Sequence, residues 1–349
     1  MIILTAIVMI SLIGCKKKDE EEINDNNNHG INDEEINENE EAEEELTYDY
    51  VYPLTGIETN EDVSNRIVGV MINNHPAARP QSGLSKADIV FEILAEGTTT
   101  RFLALFQSEM PDIVGPVRSA REYYFELARG YDALYVYHGA ANFVNDMILN
   151  RGIEHLNGAQ HDNDQKLFKR EPFRKAPHNS YLLMNNAYDF AGAKGYDLTN
   201  RLQSLNFLSP EDQITVGEKA SHAKIGYIGK QPYYTVEYTY DEDSQSYLRL
   251  SDGVQDKELN GETLIRANNV LIIETHHEVI DKEGRRKVDL TSSGPAVLLQ
   301  KGRKRDVTWE NRDGIIVPVK DGEIIPFVPG KTWINLVPSL EQSVEISSE

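Results

Sequence analysis

The stretch GPVRSAREYYFELA, residues 115–128, places two guanidiniums around the expected start of a helix. Ser119 and Glu122 stand at capping-box spacing, which predicts a helix over 119–129 with Ser119 as N-cap and Gly130 closing it. Arg118 and Arg121 flank that cap. Unpaired N–H groups make a helix start partly positive, so two cations there require a negative partner. An external anion would meet backbone N–H groups and two guanidinium forks at one spot. Internal pairing is the alternative, with Glu122 four residues beyond Arg118 and Glu92 or Glu96 reaching from a neighbouring strand. Arg79, Arg101 and Arg174 favour the ligand, because cations gathered in the loops of an acidic chain imply an electropositive hollow. His138, His178, Asn73, Asn74 and Asn179 would add directional hydrogen bonds to it.

Glu92 and Glu96, with Asp88, raise a second chemistry, since an acid and a base on one strand face could cleave a glycosidic bond. If Glu96 pairs with Arg101 across the turn at Gly97, it becomes a structural ion pair and a poor acid. The histidines His75, His138, His155, His161, His178, His276 and His277 show no HExxH or comparable ligand spacing. Adjacent His276 and His277 point to opposite faces of a strand, so no metal is expected. Ser119 lacks a GxSxG setting, and no GxxxxGK[ST] or GxGxxG loop occurs, so neither a serine nucleophile nor any cofactor is implied. Tyr123 and Tyr124, if exposed beside the arginines, would suit a glycan, whereas Trp309 and Trp333 read as core. No residue is assigned a catalytic role.

The elements that must position these residues belong to an acidic chain of 349 residues, with 57 acidic and 35 basic side chains and a net charge of −22. That balance opposes nucleic-acid binding. Its start, MIILTAIVMISLIGC, is too short to span a bilayer, which takes roughly 20 apolar residues. The run resembles a leader ending in a bacterial lipobox, which implies cleavage after residue 14 and a diacylglycerol on Cys15, the only cysteine. Residues 16–45 hold three lysines and fourteen carboxylates, so 15–47 reads as a disordered acidic tether with an r.m.s. reach of about 30 Å.

Residues 66–72 read as a buried strand leading into the irregular loop NNHPAARPQSG. Two strands flank Gly97, the predicted 119–129 helix follows, then a strand over 132–138 and a helix over 141–149. If the strands on either side of the first helix are parallel, both strand-to-helix loops open on one sheet edge, bringing Arg118, Ser119 and Arg121 near His138 and Asn142. From about residue 221 the runs are short and alternating, separated by Gly, Asp and Asn, which spells an antiparallel β region. The expected organisation is a leader (1–14), the tether (15–47), an α/β domain with a mixed sheet (48–210), a β-rich domain (211–340) and a frayed tail (341–349). The fold class is mixed α/β.

The motifs NNHPAARPQSGLSKADIVFEILAEGTTTRFLALFQ, GPVRSAREYY, RKAPHNSY and PGKTWINLVP together resemble the YerB-like lipoproteins over about 52–338. The resemblance implies a Gram-positive envelope lipoprotein on the outer face of the cytoplasmic membrane, with a layered mixed α/β sandwich. The family is treated as a domain of unknown function, so no catalytic residue carries over. Three readings follow. The first is a non-catalytic anion-binding protein, its partner a cell-wall carboxylate or phosphate or an envelope protein. The others are a wall-acting hydrolase or transferase using Glu92 or Glu96, and a scaffold offering an edge strand to a membrane or wall-synthesis partner.

Overall fold

The computed structural model describes residues 47–209, 212, 214–227 and 234–348. The expected leader, Cys15 and all of the tether before Thr47 lie outside the described residues. Strand makes up 42% and helix 13%, so the expected α/β balance gives way to a mostly β molecule with several sheets.

The largest sheet holds twelve strands and draws on both halves of the chain. Ile89–Glu96 (IVFEILAE) is buried almost throughout, the near-continuous apolar run that a strand covered on both faces requires. Alternate residues serve opposite cores: Ile89, Phe91 and Ile93 join one cluster, Val90 and Leu94 the other. Tyr123, Tyr124, Phe125 and Leu127 of the helix Glu122–Gly130 belong to the first cluster. The second includes Ala223, Ile225, Val236, Tyr238 and Tyr247 from a six-stranded antiparallel sheet. Each fully buried large aliphatic side chain contributes about 1.5–3 kcal/mol.

Three particulars depart from the sequence reading. Thr332–Val337 lies between Asn269–Glu274 and Ile89–Glu96, parallel to both, so one sheet crosses the 210/211 boundary. Val68–Asn73 lies between Thr99–Phe106 and Leu134–Tyr137, antiparallel to the first and parallel to the second. The two strands supposed parallel therefore run in opposite directions. The segment expected to fray instead forms the short helix Leu340–Ser343 and the strand Val344–Ser347, which pairs with His222–Gly226. Its alternating Val344 and Ile346 pack on the core, which holds it there.

Candidate functional site

Three loops separated widely in sequence meet at one end of Val68–Asn73: 73–82, 115–121 and 170–180. The middle one threads between the others. Arg118 N–H donates to the Met71 carbonyl (2.9 Å) and Asn73 N–H to that of Pro116 (2.8 Å). Val117 N–H donates to the Ser180 carbonyl (2.7 Å), and Ser82 and Gly115 exchange two bonds. The peptides Arg79-Pro80, Gly115-Pro116 and Ala176-Pro177, one in each loop, are cis.

This threading explains why the helix starts late. It spans Glu122–Gly130 with Arg121 at the N-cap position, and no side chain caps it. Arg118 N–H is taken by Met71 and Ala120 N–H by Gly139, so the backbone of 118–120 is spent on tertiary pairing. Ser119 is thus not a cap; its carbonyl accepts from Arg101 Nη1 (2.9 Å).

The five arginines fare differently. Glu96 takes Arg101 Nη2 at 2.6 Å and also pairs with Arg121, so one carboxylate serves two cations. Glu96 is not opposite Arg101 as expected: Arg101 faces Ile93, and Glu96 faces Thr99 after a register shift between Leu94 and Glu96, so the ion pair is diagonal across the strands. Arg79 reaches Asp252 at 2.8 Å and Asn74 Oδ1 at 3.0 Å. Arg174 is held by neutral groups, the Tyr181 hydroxyl (2.7 Å) and the Pro80 carbonyl (2.6 Å), with Phe173 beneath its guanidinium at 5.5 Å. The half-buried Arg118 guanidinium has no hydrogen bond or ion pair among the described residues, and burial together with the Arg101 charge pushes its pKa down to about 10. The question raised by the sequence therefore has a split answer. Glu96 explains Arg121; nothing inside the described protein explains Arg118.

Two histidines stand beside it. His178 is close enough to feel Arg118 and Arg174, and its pKa is pushed down by burial first, then by His75 and these two cations. Its ring stacks on His75 with centroids 4.6 Å apart. Asn73 fixes the tautomer of His178: its Oδ1 accepts His75 N–H (3.0 Å), so its Nδ2 must be the group facing His178 Nδ1 at 2.9 Å. His75 Nδ1 likewise accepts from Ala77 N–H (3.1 Å). In both neutral rings the hydrogen is on Nε2. A metal-ligating histidine usually has the reverse arrangement, with one ring nitrogen unprotonated toward the ion and the other donating. His75 entered the sequence reading only as a metal candidate; its place in NNHPAARP, beside Asn73, was the available signal.

The side chains of the remaining predicted residues are engaged otherwise, although His138 N–H donates to the Arg118 carbonyl (3.0 Å). His138 faces Asp162 (3.3 Å), and Asn179 accepts from Arg170 (2.8 Å), which also pairs with Asp162. Asn74 is buried and donates to Glu92 (3.0 Å) and Thr100 (2.7 Å). Glu92 is fully buried and holds Arg249 at 2.6 Å. Arg249 lies over Trp333 (4.5 Å) and Phe102 (5.1 Å) and also pairs with Asp256. Burial alone would depress its pKa, but Glu92 and Asp256 more than offset that and leave it raised. A catalytic carboxylate cannot work from such an enclosure. Sequence reasoning missed Arg249, although the alternation in SYLRLS puts it on the same face as the buried Tyr247. Tyr123 and Tyr124 are also buried, donating to the carbonyls of Leu94 (2.8 Å) and of Ile93 (2.8 Å) and Arg101 (2.7 Å), so neither forms a glycan platform. A cavity of about 990 Å³ bordered by Glu122, Arg151, Lys287 and Asp289 lies elsewhere, and none of the predicted anion-binding residues lines it.

Comparison with known proteins gives consistent matches. Residues 54–197 match the N-terminal domain, and 224–334 the C-terminal domain, of the family described as protein of unknown function (DUF3048). The chain is 44% identical over 290 residues to "Putative lipoprotein YerB" of Bacillus subtilis (strain 168), covering 83% of this chain and 86% of that protein. The crystal structure of YerB from Bacillus subtilis superposes with a TM-score of 0.79 at 43% identity, covering 85% of this chain and 99% of that one.

Proposed function

The chain belongs to the DUF3048 family of YerB-like proteins, and from that membership we propose that it is a lipid-anchored envelope protein whose three-loop corner binds an anion, without catalysis. The relative's name as a lipoprotein and the LIGC sequence ending at Cys15 support anchoring on the outer face of the membrane. One observation carries the ligand reading: Arg118 is withdrawn from bulk water yet has no carboxylate partner among the described residues. Removing a cation from water is costly unless an opposite charge compensates, so an uncompensated guanidinium at a junction of loops suits an external anion. Arg174 adds a second charge held only by neutral partners.

Of the residues expected to bind, Arg118, Arg174, His178 and Asn73 remain in this reading, and His75 joins them. Arg79, Arg101 and Arg121 have their charge engaged internally. A hydrolase using Glu92 or Glu96 has against it that the first is sealed and the second lies between two guanidiniums. The test is binding of the compact unit 47–349 to purified wall fragments. Arg118→Met should abolish binding with thermal unfolding nearly unchanged; retained binding overturns the reading.

A further inference from the structure

Resting on that anion-binding reading, we propose that the corner selects a phosphate monoester as its dianion, carried on a small organic group, over a carboxylate. The first reason is the polarity of what the corner offers. Arg118 brings an unengaged guanidinium, and His75 and His178 each bring an Nε2–H with no partner among the described residues. The nearby acceptors are already used: Asn73 Oδ1 by His75 N–H, Asn74 Oδ1 by Arg79, and the Pro80 carbonyl by Arg174. A corner that only donates favours a ligand end with acceptors alone, and a protonated oxygen would go unpaired there.

The second reason is charge. Arg118 and Arg174 are the two arginines of the corner without a carboxylate partner among the described residues, and a phosphate monoester carries about −1.5 to −2 at pH 7, against −1 for a carboxylate. Guanidinium forks also match phosphate oxygens bidentately. The exposed ring of Phe173 lies beside Arg174 at the rim, where the carbon skeleton of an organic phosphate could pack.

This assignment fixes a pH dependence. The groups facing His178 are His75 and Asn73 from the first loop, Arg118 from the second, and Arg174 from its own segment. Arg79 is tied to Asp252, Glu171 is paired with Lys169 at 2.6 Å, and Lys175 is exposed on the His178 segment. Protonating His178 would put a hydrogen on Nδ1 against the donating Asn73 amide, so the ligand's titration sets the trend. With a second pKa of about 6 for a phosphate monoester, its dianion rises from about a tenth of the ligand at pH 5 to about nine-tenths at pH 7.

The experiment is calorimetric titration of the 47–349 unit with inorganic phosphate, glucose 1-phosphate and acetate at pH 5 and pH 7. Expected are glucose 1-phosphate affinities at least about tenfold above acetate at pH 7, and about tenfold stronger at pH 7 than at pH 5. Acetate binding as tightly as phosphate, or phosphate affinity falling over that rise, overturns the monoester assignment. If both anions bind equally and Arg118→Met removes both, anion binding stands and only the selection fails. If no anion binds wild type, or Arg118→Met binds unchanged, both readings fall. Arg174→Met is the second variant should Arg118→Met unfold, with the same loss expected. Phe173→Ala tests the carrier: weaker glucose 1-phosphate binding with inorganic phosphate unchanged supports the organic monoester, and equal effects on both overturn it.

Discussion

Arg249 and Arg118 are both drawn away from water, and the protein treats them in opposite ways. Around Arg249 it supplies Glu92, Asp256 and two aromatic faces, all contributed by the chain itself. Around Arg118 it supplies two stacked histidines and a second arginine, none of which can neutralise it. The first arrangement is complete without a ligand and joins strands from both halves of the sequence. The second, on the reading proposed above, would be completed by one. Residue type does not distinguish them; Arg249 is fully buried and Arg118 half-buried, and the sharper difference is the internal counter-charge that only Arg249 has among the described residues.

The most damaging blow to the closed arrangement is Arg249→Met, which leaves Glu92 buried and unpaired and should cost about 3–5 kcal/mol in chemical denaturation. Adding Glu92→Gln should recover much of that loss; failure to do so would show that the pair is not the coupled unit described. Asp88 sharpens the contrast, because this buried carboxylate, four residues before Glu92, accepts from Gln107 N–H (2.6 Å), Ser108 N–H (3.0 Å) and the Ser108 hydroxyl but has no ion pair among the described residues. Burial raises its pKa to about 6 from the ordinary 3.8. Its contribution to stability is thus fully present below pH 3.8 and lost as pH rises through about 6. Measured against Asp88→Asn, wild type should lose about 3 kcal/mol across that window; parallel pH profiles would show that the hydrogen bonds outweigh burial. Tyr124→Phe removes the hydroxyl that braces the Ile93 and Arg101 carbonyls and should cost about 1 kcal/mol in thermal denaturation, with anion binding unchanged. The smallest effect belongs to the open corner: Arg118→Met should shift stability by no more than about 0.5 kcal/mol. A loss comparable to that of Arg249→Met would erase the distinction and make Arg118 structural.

Much of the local architecture was legible. The strands around Gly97, the Val68–Asn73 strand and the helix pair followed from apolar periodicity and Gly punctuation. The Glu96–Arg101 pair was legible too, being only five residues apart, although it forms diagonally, with Thr99 rather than Arg101 opposite Glu96. What failed was non-local. The capping box at Ser119 is sound local chemistry, but Met71 and Gly139 claim the backbone it needed. Glu92 looked available because its cation lies 157 residues away. KTWINLVP reads as a strand, yet nothing within it says that it will lie beside Ile89–Glu96. The three-loop corner was half visible: its loops stood out as motifs, and Arg118, Arg174, His178 and Asn73 were named from them, but only the fold shows which cations keep a free charge.

The position of Thr332–Val337 has a consequence for how the polypeptide matures. Synthesis delivers Ile89–Glu96 long before the segment that must lie alongside it, so one flank of that apolar strand stays bare while more than two hundred further residues are made. A nascent chain in that condition is open to wrongful pairing with its neighbours. Truncation anywhere ahead of residue 332 would make the exposure permanent, so a fragment ending at residue 197 should aggregate rather than behave as an independent module.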